Sequence, residues 1–308
     1  MNAASGVTGS VCATLLAMLA GPASAATYTF IVAGLGGEPA YEQKFREHAA
    51  AVASAAEKAA GTTANVISLT GDAARADAVR RQFKTVAARM NASDNAVVVL
   101  IGHGTFDGED YRFNLPGPDL TDAELARLFD ELPARDQLII NATSASGAAI
   151  ERWQKPRRVL ITATKNGGER TATRFAQYWA KAVASDAADT NKDQIVTAAE
   201  AYEYATREIA AAYKSDAAMA TEHARIEGDN PARFTLARLG TAALLPENPA
   251  VAALLSQRGE IEQDLNRVKE QKAKVPDAQY YDELEQVLVR LALLQRQIDT
   301  TADGGATP

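Results

Sequence analysis

Residues 95–104 read Asn-Ala-Val-Val-Val-Leu-Ile-Gly-His-Gly, and the apolar run within them decides the fold class. From Ala96 to Ile101 no polar residue interrupts it, which is the pattern of a strand covered on both faces, not of one that alternates between core and solvent. Such a strand needs helices above and below it, and the chain on either side supplies them. Upstream, strands are expected at 27–33 (TYTFIVA) and 64–70 (ANVISLT). They are followed by helices at 38–60 and 72–90, the second carrying Val79, Phe83 and Val86 on one face. Downstream come a helix near 121–132, a strand at 137–142, a short helix from about 146, a strand at 158–163 and a helix over 169–185. Strands and helices in this alternation imply an α/β three-layer sandwich with a mostly parallel sheet.

In open sheets of this kind, chemistry gathers beyond the carboxyl ends of the strands. The first strand ends in Gly34-Leu35-Gly36-Gly37-Glu38. A dinucleotide fingerprint fails there because its third glycine would fall at Pro39, so a tight turn lining a cleft is expected, with Gly36 and Glu38 on the substrate side. At the end of the 95–101 strand, Gly102 and Gly104 flank His103. The glycines let the backbone turn sharply and leave an amide exposed beside a sterically open imidazole. His48 and His223 stand in helical or loop sequence and read as surface residues. The next strand runs through small hydroxyl residues, LIINATSASG at 138–147. One helix separates it from His103, which makes the two strands neighbours with a shared rim.

Taken in order, VVVLIGHG (97–104), IINATSASG (139–147) and ITATKNGGERT (161–171) resemble the caspase and legumain superfamily of cysteine peptidases, legumain-type peptidases most closely, over about residues 27–215. In that family one strand ends in His-Gly, and the next in an acidic residue, Ala, Cys, any residue, Ser and Gly. The resemblance implies a caspase-like sandwich with His103 as the proton-handling residue and Gly104 as an oxyanion amide. It places Asn141, Thr164 and Glu169 around the substrate pocket. The chain departs from the family at the nucleophile: aligned from the strand, Thr143 fills the cysteine position and Asn141 the acidic one; aligned from the helix, Ser144 does. A hydroxyl is a far weaker nucleophile than a thiolate and needs a well-oriented base. Asp107, Glu109 and Asp110 follow His103 closely enough to be considered as its orienting carboxylate. Two readings follow: a degenerate peptidase that binds a peptide or protein without cutting it, or a Ser/Thr-His dyad hydrolase built from His103 with Ser144 or Thr143.

Residues 189–200 (DTNKDQIVTAAE) match a calcium loop at Asp189, Asn191, Asp193, Ile195 and Thr197, with Glu200 in twelfth place and Gln194 where glycine is usual. The same residues also read as an acidic loop closed by a Thr197–Glu200 capping box. No cofactor is expected beyond a structural calcium, which only the first of these two readings supplies. Residues 216–247 carry turn residues and read as the last edge of the core and a linker. Beyond them Leu254, Ile261, Leu265 and Val268, then Leu284, Leu288, Leu291, Leu294 and Ile298, mark an α-helical hairpin over 246–300. It is expected to pack on its own domain or to meet a protein partner, and 301–308 form a small polar tail.

With 308 residues, 47% of them hydrophobic, 23% charged and a net charge of -7, the chain is globular and acidic, which argues against a nucleic-acid partner. Its single cysteine, Cys12, excludes an intramolecular disulfide and any multi-cysteine metal site. Cys12 lies in residues 1–25, which read as an export signal. Their apolar core at 11–20 is too short for a membrane span, Gly21-Pro22 breaks it, and Ala23-Ser24-Ala25 suits a signal peptidase. The segment lacks Lys and Arg, and an apolar first helix of a cytoplasmic protein is the alternative. Cleavage after Ala25 would deliver a periplasmic or secreted chain that begins at Ala26, has no membrane span and carries no thiol.

Overall fold

Five parallel strands and one antiparallel edge strand form the main sheet. The structure is a computed structural model and describes residues 25–240, 242–243, 249–272 and 274–303. Most of the export segment, and the tail beyond Asp303, lie outside the described residues. The chain runs through β1 (Thr27–Ala33), α1 (Pro39–Ala60), β2 (Val66–Leu69), α2 (Ala76–Ala87) and β3 (Asn95–Ile101). Three short strands follow, β4 (Gly104–Phe106), β5 (Tyr111–Phe113) and β6 (Leu120–Thr121), then α3 (Asp122–Asp130), β7 (Asp136–Ala142), α4 (Ile150–Trp153) and β8 (Arg158–Thr162). The domain continues with α5 (Phe175–Ala184), β9 (Ile195–Thr197), α6 (Ala198–Ser215), β10 (Arg225–Glu227) and β11 (Thr235–Arg238), and α7 (Pro249–Glu270) and α8 (Asp277–Asp303) form the hairpin.

In space the main sheet is ordered β10-β8-β7-β3-β1-β2, with β10 antiparallel to β8 and every other pairing parallel. The unbroken apolar run of β3 is accounted for by its two faces. Val97, Val99 and Ile101 enter one core with α1, α5 and α6, while Ala96, Val98 and Leu100 enter the other with α2, α3 and α4. The expected α/β sandwich with a mostly parallel sheet and a C-terminal helical hairpin is therefore the observed architecture. β3 and β7 pair directly from Asn95↔Asp136 to Ile101↔Ala142, which puts the His103 turn and the Thr143 turn side by side.

Three features differ from the sequence expectation. α5 starts at Phe175 instead of 169, because residues 163–174 form a loop and the helix is capped from outside: the amides of Arg174 and Phe175 donate to the carboxylate of Glu222 at 2.7 and 3.2 Å. The small sheets β4-β5-β6 and β9-β11 were not anticipated. The hairpin divides its apolar pattern. Val251, Leu294 and Ile298 pack with Ala242 and the partly buried Ile195 at the edge of the domain, whereas Tyr281, Leu288, Val289 and Leu293 on α8 face solvent. The outward face of α8 is thus where the expected hairpin partner would have to dock. Among the described residues, no helix is long and apolar enough to cross a membrane.

Candidate functional site

His103 occupies the turn between β3 and β4. Gly102 before it adopts φ 147°, a conformation L side chains avoid, and a Cβ there would sit 3.3 Å from the Phe113 ring. A Cβ on Gly104 would lie 2.5 Å from Ser144 O, 2.6 Å from Tyr111 and 2.7 Å from Thr143 Oγ1, so only glycine lets this strand end lie against the next. Between them the half-buried imidazole packs edge-on against Tyr41 and Phe45 of α1, with centroids at 5.0 and 5.2 Å. It opens onto a cleft of about 600 Å³ whose floor includes Gly102 and Ala142 and whose walls come from α1, α5, α6 and the loop before α5.

The two hydroxyl candidates face elsewhere. Thr143 is fully buried; its Oγ1 donates to Asn141 Oδ1 at 2.8 Å and lies 2.7 Å from Tyr111 Oη. Burial holds the Tyr111 phenol above its ordinary range, so it stays a neutral partner. Ser144, 3% exposed, donates from Oγ to Gly104 O at 3.2 Å and accepts from Gly104 N at 3.3 Å. The amide expected to stabilise an oxyanion is therefore engaged by a candidate nucleophile. Neither hydroxyl lines the cleft that His103 lines, and no hydrogen bond joins either to its ring. Two of the nearby carboxylates, Asp107 and Asp110, are also committed. Asp107 accepts from the amides of Asp110 and Glu109 and from Arg112, which lower it to about 2; Asp110 faces Arg112 and Arg152.

The remaining expected residues shape turns around the cleft. Gly36 leaves no room for a Cβ, which would meet Glu42 N at 2.5 Å, and its amide donates to Glu42 Oε1; Glu38 precedes α1 and is exposed. Asn141 is buried beneath Tyr111. Thr164 receives the Gly147 amide at 2.9 Å, and Glu169 receives the amides of Lys165 and His223 and faces His223 Nδ1 at 2.5 Å. Both brace the 163–174 loop, and it is the end of that loop, Ala172 to Arg174, that reaches the cleft.

Sequence reasoning missed most of the cleft wall. Tyr41, Phe45 and His48 recur at helical spacing on α1, a signal that was present. His48 is half-buried in that wall, contrary to its reading as a surface residue. Its Nδ1 is enclosed without a partner, and burial, the largest influence, lowers its pKa below the ordinary value. On the other side Arg174 pairs with Asp216 at 2.7 Å and lies over the Tyr213 ring at 4.4 Å, while Thr173 donates to Ala142 O.

No protein-family model matches the chain, and neither does any curated protein. Solved caspases do. Caspase-1 from Spodoptera frugiperda matches with a TM-score of 0.45 and 11% identity, over 66% of this chain and 86% of that one. The Drosophila initiator caspase Dronc matches with a TM-score of 0.39 and 7% identity, over 70% and 81%.

The 189–200 loop is closed on itself. Asp189 accepts from the amides of Asp193 and Gln194, and Asp193 from that of Ile195, while burial raises the pKa of the Asp193 carboxyl. Asn191 Nδ2 donates to Asp193 Oδ2. Gln194, at the position usual for glycine, has φ 64°. Glu200 accepts from Thr190 through Oε1 and from Thr197 through Oε2, completing a capping box at the start of α6. Among the described residues, no group of three or more His, Cys, Asp or Glu side chains is arranged to hold a metal.

Proposed function

We propose that this chain is a caspase- or legumain-like module without a cysteine nucleophile, and that it holds a peptide or protein segment in the cleft beside His103 without cutting it. The observation that carries the reading is the separation of the imidazole from both hydroxyls. His103 lines an open cleft, while Thr143 and Ser144 are buried and hydrogen-bonded to Tyr111, Asn141 and Gly104. Freeing either hydroxyl means giving up bonds worth about 1 kcal/mol each and leaving buried partners unsatisfied. The cleft suits a ligand of a few side chains: aromatic and alanine surface lines it, with Lys44, Gln177 and the Arg174–Asp216 pair as polar contacts at its walls.

Binding to an immobilised peptide library is the direct test. The purified protein is expected to retain a subset of peptides intact, and Ala172→Trp, which fills the cleft, is expected to weaken retention at least roughly tenfold. The competing reading, a Ser/Thr-His hydrolase, takes over if a serine-reactive phosphonate labels the protein and Ser144→Ala or Thr143→Ala abolishes both labelling and peptide cleavage. We place the protein outside the cytoplasm on the strength of residues 1–25, and recovery of full-length chain from the cytoplasmic fraction alone would refute that placement.

A further inference from the structure

Asp94, in the turn before β3, is 3% exposed. Its Oδ2 accepts from the amide of Asn91 at 2.8 Å and its Oδ1 from the nitrogen of Ala26 at 2.9 Å. No Lys, Arg or His among the described residues lies within ion-pairing distance of it. Asp136 starts the neighbouring strand, is as buried, and pairs with Arg135, Arg157 and Arg233. A buried carboxylate without a counter-charge is costly.

Two independent lines meet at one nitrogen. The small residues Ala23-Ser24-Ala25 mark the bond after Ala25 as the cleavage point of the export segment. The nitrogen on the far side of that bond is the one that rests on Asp94, and it is held there because Asn95 donates from its amide to Ala26 O at 2.8 Å and Thr27 pairs with Asn95 in the sheet. We propose that the α-amino group released by cleavage after Ala25 is the counter-ion of Asp94, so that removal of the leader completes an ion pair at the start of β1. Hydrolysis by an endopeptidase adds one water across the Ala25–Ala26 bond. The hydroxyl goes to the Ala25 carbonyl, which departs as a carboxylate. The nitrogen of Ala26 takes up protons to become an ammonium, and a single N–H donor becomes a charged group with three. The 2.9 Å separation leaves the ammonium in direct hydrogen-bond contact with the carboxylate. This ion pair rests on the export reading of residues 1–25 and is independent of peptide binding in the cleft.

The mass of the exported full chain is expected to show a free amine on Ala26; any other start overturns the proposal. Thermal unfolding of that chain is then compared with the same chain begun at Ser24 and with its Nα-acetylated form, both of which should melt about 4 °C lower or more. Asp94→Asn should erase the difference between the free and blocked starts. Equal melting temperatures for free, extended and acetylated starts would overturn the proposal, and since that comparison leaves Asp94 in place, it reads out even if the Asp94 variant fails to fold.

Discussion

Gly104 explains why the His103 strand end looks as it does, and it supports a first prediction. A methyl group there would press on the Ser144 carbonyl, on Tyr111 and on Thr143 Oγ1 at once, and two of these contacts are with buried side chains that cannot swing away. Gly104→Ala should lower stability by about 1–3 kcal/mol in urea unfolding, and an unchanged midpoint would show that the strand ends are looser than described. His48 gives a prediction in pH. Its folded pKa lies below the ordinary value of about 6.5, so the unfolded chain binds the proton more readily. Stability contributed by neutral His48 is present above that unfolded value and is lost as pH falls below it toward the folded value. Wild type should therefore lose stability relative to His48→Gln as pH falls below about 6.5, and parallel losses would rule His48 out as the cause. The position of His103 was legible because a His between two glycines after an apolar run has few other settings. The burial of Thr143 was not, since it depends on Tyr111, whose strand of three residues carries no periodic signal.

Helix and strand boundaries followed the same division. α6 was legible from its cap: Thr197 accepts from the Glu200 amide and Glu200 reaches back to the Thr197 amide. Thr197→Ala should cost about 1 kcal/mol, measured by denaturant unfolding, and no loss would mean the cap is redundant. The same carboxylate bears on calcium, because both oxygens of Glu200 are taken by Thr190 and Thr197 and a cation would have to displace those donors. A melting temperature raised by millimolar calcium in wild type but not in Asp189→Ala would establish the loop as a cation site. The start of α5 was not legible, since its cap, Glu222, lies 48 residues away from Arg174 in the chain. Strands of two to four residues such as β6 and β11 escaped because alternation needs more positions to declare itself.

Across the whole chain, the alternation of strands and helices was enough to give a mostly parallel sheet and to set β3 beside β7, because a buried parallel strand constrains both of its faces at once; the order of the other strands was not read from it. How strongly the hairpin belongs to that domain was not readable from periodicity, which marks an apolar stripe without saying what covers it. Among the described residues the attachment runs through Val251, Leu294 and Ile298, which meet Ala242 and Ile195, and through Arg258 of α7, whose charge acts on the Asp193 carboxyl; the two helices also hold each other, as in the Arg290–Asp264 bridge. Among the described residues, the two cores that flank the sheet contain none from α7 or α8. A chain ending at Ala243 should therefore keep a single cooperative urea transition, with its midpoint lowered only modestly and its denaturant slope reduced in proportion to the surface removed. Loss of cooperativity would place the hairpin inside the folding unit. Retention would make it an appendage whose outward residues Tyr281, Leu288, Val289 and Leu293 are free to serve something other than stability.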